Sequence, residues 1–217
     1  TYVELHVEQG RGLVERDAPV GVADAIWPHG RWRLDLAGEA NHAGTTRLAD
    51  RDDPMLRLAA AVTTARSAAE RHDTLATVGR LQVEPNATNA IPSRVTAWLD
   101  ARGPDEEQVR AVVAAVGAAC MAEPAEESWT PAVSFDRSLR ERLAALLGGA
   151  PVLPTGAGHD AGILAGAGVP SAMLFVRNPT GVSHSPAEHA EEADCLAGAD
   201  ALTAVLADLL LAERLPE

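Results

Sequence analysis

Across residues 25 to 132 the apolar spacing switches between a period of two and a period of 3.6 in a fixed order: strand, helix, strand, strand, helix, strand. No other feature restricts the fold as much, because that order is the split βαβ, ferredoxin-like arrangement. The first strand is read near Trp32–Leu36. A helix follows from about Pro54 to Arg71, opened by the favourable first turn Asp52, Asp53 and Pro54, with Leu56, Ala60 and Val62 expected on its apolar face. Strands over Thr74–Val83 and Arg94–Ala101 flank the loop EPNATNAIPS, whose prolines and asparagines suit turns. The second helix, about Asp105 to Met121, places Val109, Val112, Val113 and Val116 on one stripe. After the proline- and glutamate-rich AEPAEESWTP, a short strand at Ala132–Phe135 is expected to complete the set.

The flanks read differently. From Tyr2 to Glu8 the residues alternate, with Val3, Leu5 and Val7 on one side of a strand and Glu4, His6 and Glu8 on the other. The C-terminal part carries a helix near Leu139–Leu147, the glycine-rich TGAGHDAG, a buried-looking strand SAMLFV and a final helix from Asp194 to Ala212. That is α/β material, and it would pair naturally with the N-terminal strand. The fold class expected is an α/β domain, residues 1–24 and 133–217, interrupted by an inserted α+β ferredoxin-like module, residues 25–132. Because TYVELHVEQG already reads as the middle of a structured protein, the chain is expected to be a fragment.

Composition removes several classes of function. All 18 basic residues are arginine, so Schiff-base chemistry and a P-loop lack their lysine. A formal net charge of −13 opposes nucleic acid and anionic membrane surfaces as partners. Asp200 and Asp208 break the most apolar segment, so no membrane span is expected, nor a secretory or transit signal. Cys120 and Cys195 sit among small and apolar residues, and both are read as core packing. Neither GxSxG nor a reactive cysteine setting occurs, and Asp160 in TGAGHDAG opposes a phosphate.

Four histidines stand at strand ends or in glycine-containing turns: His6, His42, His159 and His184. Neutral imidazole is the commonest metal ligand, and Glu8 or Glu188 is placed to support its second nitrogen. The spacing contains no HExxH, so the plainer alternative, loop histidines bonded to nearby backbone groups, stays open. His72 and His189 are read as solvated, without a role.

ELHVEQG, NHAGTT, TNAIP followed by LDAR, GAGHDA and GVSHSPAE occur in that order over essentially the whole chain. Together they resemble the metal-dependent amidohydrolases of the zinc-aminopeptidase-like superfamily, in the branch of N-carbamoyl-L-amino-acid hydrolases, β-ureidopropionases and allantoate amidohydrolases. The resemblance implies an α/β catalytic domain interrupted by a lid that also forms a homodimer. It implies two divalent metal ions, zinc or manganese, with His6 and His184 as ligands. His42 and His159 match histidines that stabilise the tetrahedral intermediate, while Asn89 and Arg102 match substrate-binding positions, served across the dimer interface in the case of His42, Asn89 and Arg102. His29 stands where some members carry a substrate-reading glutamine.

The activity implied is attack of metal-bound hydroxide on a ureido carbonyl, most closely that of allantoate because of FVRNPTGVSHSPAEH, with an N-carbamoyl-L-amino acid as the alternative. The partners implied are a small ureido carboxylate and a second copy of the chain, in the cytoplasm. The family's other ligands, a histidine, an aspartate and a glutamate, and its glutamate base lie before the ELHVEQG strand. The chain alone is therefore expected to carry a half-built site with little turnover. A reading of another class is a catalytically idle dimerisation module; a peptidase acting on small peptides fits the motif set less well.

Overall fold

The computed structural model describes residues 1–212. In chain order its elements are β1 (Tyr2–Val7), α1 (Gly12–Glu15), β2 (Val20–Ile26), β3 (His29–Ala37), β4 (Asn41–His42), α2 (Pro54–Arg71), β5 (Leu75–Glu84) and β6 (Ala90–Ile91). They continue with β7 (Arg94–Arg102), α3 (Glu106–Cys120), β8 (Ala125–Thr130), β9 (Val133–Ser134), α4 (Arg137–Leu146), β10 (Val152–Thr155), α5 (Asp160–Gly166), β11 (Ser171–Val176) and α6 (Glu192–Ala212). Contacts divide the chain into two compact units, Pro28–Ala132 and the segments flanking it.

In the inner unit four strands form an antiparallel sheet in the order β5-β7-β3-β8, the order of a ferredoxin-like fold. Its core follows from period-two burial. Trp32, Leu34 and Leu36 of β3 and Val95, Ala97, Leu99 and Ala101 of β7 turn inward, while Arg31, Arg33 and Asp35 alternate onto the opposite face. Asp53 and Asp105 accept hydrogen bonds from Met55 N–H at 2.9 Å and Gln108 N–H at 3.0 Å, fixing the starts of α2 and α3. The four valines of the α3 stripe are buried as their spacing predicts.

Two expectations for this unit are corrected. The buried stripe of α2 is Leu58, Ala61, Ala65, Ala68 and Ala69, whereas Leu56 is 72% exposed and Val62 44%. Small residues face inward because α2 packs alongside α3 as well as on the sheet, and alanines permit that approach. The fourth strand is Ala125–Thr130, inside the proline- and glutamate-rich segment. As an edge strand it pairs only with β3, so Glu126 and Glu127 can face solvent while Trp129 packs 5.9 Å from Trp32. Val133–Ser134 instead pairs with β2 in the flanking unit.

The flanking unit is built on a sheet of order β1-β11-β2-β10, with β9 beside β2. β1 runs parallel to β11 from Tyr2↔Ser171 to Val7↔Val176, the pairing that the two segments invite. All six residues of β11 are buried. β2 and β10 escape sequence reading; the first four residues of β2 are buried together, so no alternation marks it. Cys120 is buried as expected, but Cys195 is exposed. The inward stripe of α6 runs through Asp194, Gly198, Ala201 and Val205, which turns the next residue, Cys195, outward. Among the described residues no helix is long and apolar enough to cross a membrane.

Candidate active site

β1 carries Glu4 and His6 on its polar face and, among the described residues, lies at the edge of its sheet beside β11. His6 Nδ1 lies 2.6 Å from the carbonyl oxygen of Val7, which can only accept. The neutral ring therefore carries its proton on Nδ1 and keeps a lone pair on Nε2. His159, just before α5, meets this ring edge-on, with centroids 4.6 Å apart and planes at 68°. Glu4 joins the two elements: its Oε2 accepts from Ala161 N–H at 2.8 Å and its Oε1 stands 3.5 Å from His159 Nδ1. His159 Nε2 is buried and has no hydrogen-bond partner among the described residues. Burial pushes the His159 pKa below its ordinary value; His6 acts in the same direction and Glu4 opposes.

The carboxylates expected to support the histidine rings hold backbone instead. Glu8, only 6% exposed, accepts from Gly12 N–H at 2.6 Å and Leu13 N–H at 3.0 Å, fixing the start of α1. Glu188 accepts from the backbone N–H of His184 at 3.0 Å and from Ser183 Oγ at 3.3 Å. His184 is exposed and sits at φ 55°, a left-handed conformation that costs a non-glycine residue about 1–2 kcal/mol. The same loop is anchored at its start by the buried Asn178. Its Oδ1 accepts from Thr180 N–H at 3.1 Å and Gly181 N–H at 2.9 Å, and its Nδ2 donates to the Val182 carbonyl at 3.0 Å. Gln9, two residues past β1, donates to Ser183 Oγ at 3.1 Å. Sequence reasoning passed over Asn178 and Gln9; the turn-forming NPTG run signals the first, and nothing local signals the second.

The inner unit gathers its candidates in two places. β4 and β6 pair Asn41 with Ile91 and His42 with Ala90, and Ala43 N–H donates to the Asn89 carbonyl at 3.0 Å. His42 and Asn89 thus adjoin, both exposed. His42 Nδ1 accepts from Gly44 N–H at 3.0 Å, so its neutral ring carries the proton on Nε2. His29 and Arg102 are direct cross-strand partners on β3 and β7. Arg102 also grips Asp100 with Nε at 2.8 Å and Nη2 at 2.6 Å, the plain intrastrand pair that the sequence allows. His72, read as solvated, is half-buried and bonded to Gln108, while His189 is exposed.

His6 Nε2, bare in this tautomer, and the exposed His184 ring are the imidazole donors that a divalent metal could take. Among the described residues no group of three or more histidine, cysteine, aspartate or glutamate side chains is placed to hold an ion. The donors fit part of a metal site.

The pattern defining the peptidase family M20/M25/M40 matches residues 1–208. The chain belongs to that family. Within it, this M20 chain is 38% identical over 220 residues to the N-carbamoyl-L-amino acid amidohydrolase of Geobacillus stearothermophilus, covering 93% of this chain and 52% of that protein. It is 34% identical over 229 residues to the allantoate amidohydrolase of Bacillus subtilis, covering 94% and 53%. The crystal structure of AtUAH in complex with (S)-hydroxyglycine superposes with a TM-score of 0.90 at 26% identity, covering 96% of this chain and 53% of that one. The chain spans about half the length of the relatives it matches, and its mixed α/β fold is that of the family's solved structures.

Proposed function

We propose that this M20 protein hydrolyses the ureido C–N bond of a small carboxylate substrate, with allantoate first, consuming water and releasing ammonia and carbon dioxide. One observation carries the reading: His6 and His42 are held in opposite tautomers. A bare Nε2 on His6 is a metal ligand, and a protonated Nε2 on His42 is a donor for oxygen that gains negative charge. The relatives' activities support the same reaction class.

His6 and His184 would hold divalent metal, zinc or manganese, which when bound supplies Lewis-acid polarisation and a nucleophile from water. The other roles belong to side chains. His159, kept neutral by burial, stands edge-on to the His6 ring with centroids 4.6 Å apart. His42 and Asn89 present donors at one end of the inner unit. Arg102 offers the planar fork that a carboxylate fits, in exchange with Asp100, and His29 stands beside it across the strands. A homodimer through the inner unit is supported by β5, which pairs on one side only, and by the outward Leu56 and Val62 of α2.

An N-carbamoyl-L-amino acid is the second reading, favoured by the 38% identical relative. Ammonia release from allantoate and from N-carbamoyl-L-amino acids, measured on the natural-length protein with added manganese or zinc, ranks the two. Turnover of neither, with metal bound, would leave an idle dimerisation module; cleavage of dipeptides alone would overturn ureido chemistry in favour of a peptidase.

A further inference from the structure

We propose that Glu188 is a positioning residue for His184, clamping the loop so that its imidazole is offered to metal in one place; this rests on the reading of His184 as a ligand. His184 sits at φ 55°, where a histidine does not stay without restraint, and its ring is exposed. The bond to the His184 amide itself comes from one carboxylate, Glu188. Its Oε2 takes the His184 N–H at 3.0 Å, and its Oε1 takes the Ser183 hydroxyl at 3.3 Å. The backbone N–H of Glu188 in turn donates to the Ser185 carbonyl at 3.0 Å, closing the turn from the other side. Ser183 Oγ also accepts from Gln9 Nε2 at 3.1 Å, two residues beyond the strand that bears His6.

A continuous path, Glu188 to Ser183 to Gln9, therefore ties the two histidines' carriers together. Asn178 fixes only the start of the loop, bonding Thr180, Gly181 and Val182, and leaves the His184 N–H to Glu188. Glu188 touches no reacting group. It acts by holding the main chain from which His184 projects.

The test is metal binding by the natural-length protein. Zinc affinity is measured by competition with a chelator, and the ligand field of bound Co2+ by its visible absorption, for Glu188→Ala, Glu188→Gln, Ser183→Ala and His184→Ala. Glu188→Ala is expected to weaken zinc binding about 10- to 100-fold, as loss of outer support does at metal sites, and to shift the Co2+ bands. Glu188→Gln keeps an oxygen acceptor for the His184 N–H and is expected to restore both. Ser183→Ala keeps that acceptor too and should fall between them, which keeps the test open if Glu188→Ala does not fold. Unchanged zinc affinity and Co2+ bands in Glu188→Ala, alongside a clear loss in His184→Ala, would overturn the positioning role alone. An equal loss in Glu188→Gln and Glu188→Ala would also overturn it, since negative charge rather than the clamp would then be what matters. No loss in His184→Ala would instead remove the ligand reading beneath it.

Discussion

His159 stands edge-on to His6, with ring centroids 4.6 Å apart, and its Nε2 is buried without a partner among the described residues. Proteins rarely leave such an atom unmatched unless something outside the fold satisfies it. If His159 faces the reacting oxygen, His159→Ala should lower kcat by about 100- to 1,000-fold, the scale of one lost electrostatic stabiliser, with little change in KM. Steady-state ammonia release by the natural-length protein checks this. A change confined to KM would place His159 in substrate binding instead.

Glu8 makes a contrasting case, because its role is structural and its effect should appear in stability. Its two oxygens hold the amides of Gly12 and Leu13 inside the fold. Glu8→Ala strands both donors and is expected to cost about 1–3 kcal/mol, while Glu8→Gln, which keeps one acceptor, should cost less. Denaturant titration of the two variants gives the difference directly. Equal loss in both would mean that charge, rather than acceptor geometry, matters at that position.

Glu8 and Glu188 also show where reading a sequence stops. The strand pattern of Tyr2–Glu8, the valine stripe of α3 and the buried SAMLFV strand are local periodicities, and each is found where it was read. His42 and Asn89, which lie in separate motifs, adjoin through β4 and β6. What a carboxylate bonds to depends on the turn taken by the chain a few residues on, which periodicity does not encode. The same holds for β2, whose burial on both faces erases alternation, and for β8, whose glutamates belong to a solvent-facing edge. The α2 face was misread because bulk is a poor guide where a helix packs against a second helix, and there alanines win.

Asp35 should make the inner unit's stability depend on pH. The Arg33 hydrogen bond holds its carboxyl below the ordinary value, with Arg94 acting in the same direction. Its folded pKa is thus lower than its unfolded one, near 3.9. The stabilisation is then complete above the unfolded value and is lost as pH falls through the folded value. Because the side chain is partly exposed, the gain should stay within about 1 kcal/mol. Asp35→Asn is expected to melt lower than wild type at pH 7, with the gap closing below about pH 4. A gap that persists in acid would trace the loss to hydrogen bonding or packing instead of charge.

The outward face of the inner unit carries the remaining expectation. Among the described residues β5 pairs on one side only, and Leu56 and Val62 of α2 stand exposed. A second copy of the chain would bury these groups in the proposed dimer, and a single unpartnered charge placed among apolar contacts opposes such burial strongly. Leu56→Glu should therefore raise the dimer dissociation constant at least about 10-fold, equivalent to about 1.4 kcal/mol, while leaving the monomer's stability nearly unchanged because the site is solvated in the monomer. Light scattering across a concentration series reads the dissociation constant, and thermal melting at low concentration reads the monomer. If His42, Asn89 and Arg102 serve the partner's site, activity should fall in step with the dimer fraction and recover at high protein concentration. Activity that stays constant while the dimer dissociates would confine those residues to their own subunit.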